Sequence, residues 1–338
     1  MQRVAHPLRT GFVAVFGAAF VFAIAAVSPA DGEAQWPPTE FTNLDVLPAD
    51  IPTDSLVRMM AGFTRALGVR CTYCHVGEES RPLGTYDFAA DDKLPKRKAR
   101  TMLRMVGRIN AEELTQLEER GTPAVRVDCV TCHRGAQRPR MLQDIVLEAV
   151  AAGGVDSAVA AYRALRAEYY GSFVYDFGEV PLADVAAELA RSGSLGDAER
   201  LHDLNIEHNP ESGFARQQYV LVALRRAFLE GAQVGESRYA AIKTRFGGEP
   251  LDEVLLNFVA SALLRQDRVD GAVAAFRLNA AEHPSSSAAQ AALGDGYAAA
   301  GDVPNAIRSY EEAIALDPAN ADAAEKLRAL RERRESGG

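Results

Sequence analysis

Two copies of one short motif constrain this chain more than any other feature of its sequence. The pattern C-x-x-C-H occurs at residues 71–75 as CTYCH and at residues 129–133 as CVTCH, and these copies contain all four cysteines. At this spacing, two thiols can form thioethers with the vinyl groups of one haem, and the histidine that follows becomes an axial ligand of the iron. The sequence therefore predicts two covalently attached haem c groups. The predicted attachment sites are Cys71, Cys74, Cys129 and Cys132, and the predicted iron ligands are His75 and His133.

Other uses of paired cysteines fit less well. A zinc site would have to join Cys74 to Cys129, which are 55 positions apart, whereas zinc-binding pairs are usually separated by roughly 12 to 20 residues. A thioredoxin-like redox pair would need a βαβ context, and no strand pattern surrounds either motif. Neither of these sites, nor a pair of structural disulfides, explains why a histidine follows each pair.

The N-terminus has the pattern of an export signal. Two arginines precede an uncharged, apolar run over residues 11–27, and small residues follow at 28–30. We expect residues 1–30 to be a cleaved signal peptide or an uncleaved anchor helix, since the run is near the lower length limit for a membrane span. A lipid anchor is not expected, because no cysteine follows the run. Both alternatives predict that the rest of the chain is exported to the periplasm.

Composition divides the remaining chain into three parts. Residues 31–52 are rich in proline and are expected to form an extended lead-in. Residues 53–141 contain both motifs and every methionine except the first, so we expect a dihaem domain there. Residues 142–338 are rich in alanine and hold 19 Lys+Arg against 30 Asp+Glu. Nucleic-acid binding is not expected of a chain with a net charge of −9.

The C-terminal part has an internal repeat. Pro250, Pro284 and Pro318 lie 34 residues apart, which is the period of tetratricopeptide helix pairs. The last unit, 287–320, has the matching small and large residues Leu293, Gly294, Tyr297, Ala306, Tyr310 and Ala313. Weaker units are predicted near 139–172, 179–212, 219–252 and 253–286. The predicted fold is therefore all-α, a small dihaem c-type cytochrome domain followed by an α-solenoid over 142–338.

A methionine-bearing helix is predicted ahead of each motif. Residues 54–67 place Met60 on one apolar face, with Gly68 as the helix stop, and residues 95–110 do the same with Met102. His202, His208 and His283 lie far along the chain and are predicted on the solenoid surface. Methionine is therefore the expected sixth ligand, as Met60 and Met102, with Met59 and Met105 as alternates. Packing of these methionines into a core is the open alternative.

The second of these helices is strongly basic. Its cations, from Lys93 to Arg108, are expected either to pair with haem propionates or to form a solvated face. After the second motif, Gly135 can adopt positive φ and let the chain turn away.

These segments together resemble the photosynthetic reaction-centre cytochrome c subunit family. The resemblance covers about residues 41–140 and lies in NLDVL (43–47), VRMM (57–60), CTYCH (71–75), ARTMLRM (99–105), IN (109–110) and VTCHRG (130–135). It implies that Met60 pairs with His75 and Met102 with His133, and that the two units are related by a local approximate twofold. Full family members carry four haems and many have a lipidated N-terminal cysteine. This sequence has motifs for two haems and lacks that cysteine.

The leading hypothesis is a periplasmic dihaem electron carrier that exchanges electrons with redox partner proteins, such as a membrane-bound reaction-centre or respiratory complex. In this hypothesis the repeats bind the partner protein. One alternative is a peroxidase-type dihaem enzyme, which would need an open iron and a distal acid–base residue. The other is an assembly protein in which the repeats organise an electron-transfer complex.

Overall fold

The computed structural model describes residues 36–247 and 251–336. The predicted signal segment, residues 1–30, lies outside the described residues, and so does Pro250. Within the described ranges the chain has thirteen α-helices and no β-sheet, with one isolated bridge between Val76 and Asp87. The predicted all-α class is confirmed.

The chain divides into two compact units. Among the described residues, one unit contains those up to Arg65 together with Val69–Asp128, and the other contains Ala66–Gly68 together with those from Cys129 onward. The first motif therefore belongs to the first unit and the second motif to the second unit. The boundary predicted between residues 141 and 142 groups the two motifs together instead.

Two helices dominate the first unit. Helix α1 spans Thr53–Leu67 and α2 spans Leu94–Arg108, after which the helix widens into a π-helical turn over Ile109–Glu113. Helix α1 ends at Gly68, which has a φ of +63°, and the amide of the next residue donates to the carbonyl of Thr64. Glycine adopts this left-handed backbone conformation at little cost in free energy, because it has no Cβ. Both predicted helices and the predicted stop are confirmed.

The second unit begins with the second motif and continues as a series of helices. Helix α4 has non-helical backbone at Gly153 and Gly154, which divides it into two shorter helices. The break falls inside the degenerate first pair predicted near 139–172, and that pair stays a prediction. The helices are α3 (Cys129–His133), α4 (Leu142–Tyr169), α5 (Glu179–Arg191), α6 (Leu195–His208), α7 (Gly213–Glu230), α8 (Ala232–Phe246), α9 (Glu253–Leu264), α10 (Val269–Glu282), α11 (Ser287–Ala299), α12 (Val303–Leu316) and α13 (Ala321–Ser336).

The helices after α4 form a solenoid. From α5 to α13 each helix packs on the next in sequence, except that α8 packs on α7 and α10 instead of α9. Helices α5, α7, α9 and α11 also contact one another in order, as members of one layer. Equivalent side chains repeat the same bond. Asn205 donates to the carbonyl of Glu179, and Asn279 donates to the carbonyl of Glu253. An array in which each pair buries its apolar face only on its neighbours is an α-solenoid, as predicted.

One predicted repeat has the wrong register. The first helices of successive pairs begin at Glu179, Gly213, Glu253 and Ser287, so the second interval is longer than the 34-residue period. The pair predicted at 219–252 actually spans Gly213–Phe246. This pair is longer than its neighbours mainly because α7 has 18 residues, whereas α5 and α11 have 13 each.

Small residues let the last pair pack closely. A Cβ on Gly294 would lie 2.6 Å from the ring of Tyr310, so only glycine leaves room for this tyrosine between α11 and α12. The Tyr310 hydroxyl donates to Asp295 across 2.6 Å, and Ala306 is fully buried beside it. The predicted seam of small and large residues is confirmed.

Candidate cofactor-binding site

The first motif folds as one helical turn. Cys71–Tyr73 form a 3-10 turn, and the amide of His75 donates to the carbonyl of Cys71 across 2.9 Å. Residues three and four positions apart share one face of such a turn. Cys71, Cys74 and His75 therefore lie on the same face, as two thioethers and an axial ligand of one haem require.

The second motif is helix α3, and the chain turns sharply after it. Arg134 and Gly135 have φ values of +50° and +100°. The amide of Gly135 donates to the carbonyl of Ala66 at the end of α1, across 2.9 Å. A side chain on Gly68 would overlap the carbonyl of Gly135, and a Cβ on Gly135 would lie 3.2 Å from Val174. The predicted turn is confirmed, and it depends on two close-packed glycines.

The ring of His133 is oriented by a backbone group. Its Nδ1 lies 2.9 Å from the carbonyl oxygen of Ala136. Because a carbonyl can only accept, Nδ1 carries the proton, and Nε2 is left with its lone pair. A histidine that donates from one nitrogen and ligates through the other is the usual arrangement of a metal-bound imidazole.

His75 lies in a more enclosed place. The edge of its ring faces Phe88, with the ring centroids 4.9 Å apart, and its Nδ1 is buried without a hydrogen-bond partner. Burial lowers the pKa of His75, and the cation of Lys96 lowers it further, while the backbone carbonyl of Phe88 works against the shift. These surroundings favour the neutral imidazole, which is the form that binds iron.

The methionines of the two helices do not fill a protein core. Met59 and Met60 are half-buried on α1. Met102 and Met105 on α2 are 44% and 39% exposed. Met102 and Met105 are therefore not core residues. The assignment of Met60 and Met102 as iron ligands stays a prediction.

The motif-bearing part of the chain has very little apolar core of its own. Among described residues 36–141, only Leu56 and Ala66 are buried apolar side chains. A stretch of this length needs much more apolar burial to offset its conformational entropy. A large apolar group held at the motifs would supply the missing contacts, so the residues present fit covalent haem. The large apolar side chains left exposed in this part include Tyr73, Val76, Leu94, Val125 and Val130.

The basic residues of α2 bind the protein itself. Arg100 forms an ion pair with Asp91 at 2.8 Å and lies 3.6 Å from Asp45, which Arg104 also contacts. The Arg100 guanidinium holds the pKa of the Asp91 carboxyl well below its usual range. Lys93 donates to the carbonyl of Thr72, inside the first motif. The sequence predicts that these cations either pair with haem propionates or form a solvated face. The contacts favour neither alternative, because several cations of α2 bind groups of the protein.

Two positioning residues were missed by the sequence reasoning. Asn110 exchanges hydrogen bonds with the backbone of Val127 at 2.7 and 2.9 Å, and so fixes the segment just ahead of Cys129. Lys96 is only 9% exposed and donates to three backbone carbonyls. Asn110 lies inside the segment that resembles the cytochrome family, and this resemblance was the only feature of the sequence that pointed to it. Lys96 looked like any other cation of a basic helix.

The prediction of three surface histidines is wrong for His202. Its side chain is 1% exposed in α6, with Nδ1 unpaired, and burial lowers its pKa to about 4. The apolar side chains of α5 and α7 surround α6, and this burial could not be read from α6 alone.

One described helix, α4, has the length and apolar composition of a membrane span. The break at Gly153 and Gly154 divides it into halves that are each shorter than the ~20 residues a span needs. Its buried residues, Leu142, Val146, Val155, Ala158 and Tyr162, pack in the first core cluster of the repeats.

The helical fold and the two motif turns together define a c-type cytochrome joined to an array of helical repeats. Residues 16–176 match the sequence profile of the family described as the photosynthetic reaction centre cytochrome C subunit. This N-terminal part of the chain is therefore similar to that family over a little less than half of the chain's length. The match continues through α4, beyond residue 140, where the sequence-based resemblance ends.

A curated relative, cytochrome c-554 of Chloroflexus aurantiacus, is 30% identical over 128 residues. The match covers 32% of this chain and 28% of that protein, so the chain spans under a third of the relative's length.

Two solved structures that are similar to this chain share little of its sequence. MamA from Desulfovibrio magneticus RS-1 is 16% identical, covering 57% of this chain and 84% of that one, with a TM-score of 0.25. YrrB, a TPR protein, is 13% identical, covering 55% and 90%, with a TM-score of 0.29. Because these scores are low, the solenoid assignment rests on the helix contacts alone.

Proposed function

We propose that this protein is an exported electron carrier with two covalently bound haem c groups. The observation that supports it is the pair of C-x-x-C-H turns in a stretch of chain with almost no buried apolar side chain of its own. Bound haem supplies one-electron redox chemistry. The protein's part is to hold each haem by two thioethers and one histidine and to limit the access of water. Outer-sphere transfer needs no substrate pocket.

The axial ligands in this proposal are His75 with Met60 and His133 with Met102. The orientation of the His133 ring by the Ala136 carbonyl supports its role. The exposure of Met102 on α2 supports its role as a ligand, because a thioether outside the protein core remains available to iron. Ligation by histidine and methionine gives a higher reduction potential than ligation by two histidines.

Intact-mass analysis of the exported chain tests the haem count. The wild type should carry the added mass of two haems. The double variant C71S/C74S should lose one, and C129S/C132S should lose the other. A wild-type chain with one haem or none would refute the proposal. The same spectrum shows whether residues 1–30 have been removed.

Absorbance of the oxidised protein tests the methionine ligands. Sulfur-ligated ferric haem has a weak band near the red edge of the visible spectrum, and Met60→Ala and Met102→Ala should each remove part of it. Met59→Ala and Met105→Ala, one on each helix, are matched controls and should leave the band intact. A band that survives in the double variant Met60→Ala/Met102→Ala would show that other side chains ligate the iron.

Binding of a redox partner to the repeats is the second part of the proposal. Val254 and Phe258 on α9 are 75% and 55% exposed, one helical turn apart. Aromatic residues such as phenylalanine are enriched at protein interfaces, where a few residues carry most of the binding energy. Phe258→Glu should slow reduction of the haems by membranes of the source organism without changing the haem spectrum. Leu316→Glu, on α12, is the control, and equal rates for both variants would refute binding at α9.

A further inference from the structure

Lys96 is buried at the start of α2 and enclosed by backbone oxygens. Its Nζ donates to the carbonyls of three consecutive residues, Phe88, Ala89 and Ala90, at 2.9, 2.9 and 2.8 Å. The side chain is 11% exposed. A lysine this buried is rare unless its charge is compensated. Here three carbonyl dipoles and the carboxylate of Asp91, at 3.1 Å, compensate it.

The enclosed cation lies beside the first motif. The carbonyl of Phe88 binds the lysine, and the ring of Phe88 packs against His75 with centroids 4.9 Å apart. Lys96 therefore fixes the position of the residue that packs on His75, and it brings a cation close to the first motif.

We propose that Lys96 is a positioning residue that raises the reduction potential of the haem at the first motif. The inference rests on the proposed function, since it requires haem at Cys71 and Cys74. Reduction by a partner protein adds one electron, and hence one negative charge, at the haem. A cation shielded from water stabilises that reduced form more than a solvated cation does, because low-dielectric surroundings screen it less.

The charged neighbours of Lys96 allow the proposal to be tested by the direction in which the reduction potential shifts. Asp91 is its anionic neighbour, and Arg100 shares the same carboxylate at 2.8 Å. Removing the lysine charge should lower the potential, whereas removing the aspartate charge should raise it. A lysine that acted only as a clamp on the Phe88–Ala90 loop would give shifts of the same sign in both variants, or none.

The experiment is a potentiometric titration of the full-length, haem-loaded protein, followed by haem absorbance. The variants are Lys96→Met, which keeps the length of the side chain, and Asp91→Asn. Lys98→Met is the matched control, because Lys98 is on the same helix, carries the same charge and is exposed. We expect Lys96→Met to shift one of the two haems to lower potential, Asp91→Asn to shift the same haem to higher potential, and Lys98→Met to shift neither.

Other outcomes overturn the proposal in different ways. Equal shifts for Lys96→Met and Lys98→Met would mean that net charge alone acts. Shifts of the same sign for Lys96→Met and Asp91→Asn, or no shift in either, would reduce Lys96 to a structural clamp. If the Lys96→Met variant does not assemble with haem, the Asp91→Asn variant still tests the proposal. A lower or unchanged reduction potential in Asp91→Asn contradicts it. A wild-type chain without haem at Cys71 would overturn both the proposed function and this inference, whereas haem with unchanged potentials would overturn this inference alone.

Discussion

Acidification should weaken the helical repeats through one buried histidine. His202 is 1% exposed, and burial lowers its pKa from 6.5 to about 4. The folded protein keeps this ring neutral, whereas the unfolded chain takes up a proton once the pH falls below about 6.5. The contribution of the neutral ring to stability is therefore complete above pH 6.5 and is lost as the pH falls towards 4.

The size of the effect follows from these two pKa values. Proton linkage between a folded pKa of about 4 and an unfolded pKa of 6.5 removes about 2 kcal/mol of stability between pH 7 and pH 5. This is a large part of the net stability of an ordinary domain. The effect should therefore be visible in a single pair of unfolding curves.

Urea unfolding at pH 7 and pH 5, followed by far-ultraviolet circular dichroism, measures the free energy of unfolding of the repeats. His202→Leu keeps an apolar side chain in the core and removes the titrating group, so its pH dependence should be smaller than the wild type's by about 2 kcal/mol. Leu204→Val on the same helix should lower stability equally at both pH values. If His202→Leu shows the wild-type pH dependence, the reasoning about His202 is refuted.

Two further substitutions test the close contacts around the second motif. Gly68→Ala places a side chain at positive φ against the carbonyl of Gly135, and should lower the free energy of unfolding by roughly 3 kcal/mol, from strain and from the displaced turn. Asn110→Ala removes both hydrogen bonds to Val127, and should cost about 2 kcal/mol and loosen the approach to Cys129. Both are measured by urea unfolding of the haem-containing chain.

Each of these substitutions has a control. A Cβ on Gly213 would meet no neighbour within 4 Å, so Gly213→Ala should be neutral or slightly stabilising. Thr115 is exposed and bonds only to carbonyls one turn back, so Thr115→Ala should change stability by less than about 0.5 kcal/mol. If the controls lose as much free energy of unfolding as Gly68→Ala and Asn110→Ala, the result contradicts the role of these contacts.

Local patterns in the sequence were sufficient for the elements of the fold. The end of α1 at Gly68, the helical turn of C-x-x-C-H and the glycine opposite Tyr310 each depend on a few neighbouring residues. Repeats are predictable for a similar reason, since each pair contacts only adjacent pairs. The predicted register is wrong at 219–252 because α7 is longer than the first helices of the other pairs, so the 34-residue period does not hold there.

The sequence by itself determined the two C-x-x-C-H turns, the helices and the repeat class of this protein, because those depend on spacing along the chain. Tertiary structure decided which polar residues are enclosed. Lys96 binds carbonyls from a loop that folds back onto α2, and the neighbours of α6 enclose His202. Tertiary structure also grouped the second motif with the solenoid, through Gly135 and Val174. Burial is a property of the surrounding residues, which are distant in sequence, so a lysine or histidine on an amphipathic helix does not reveal whether it faces water or protein.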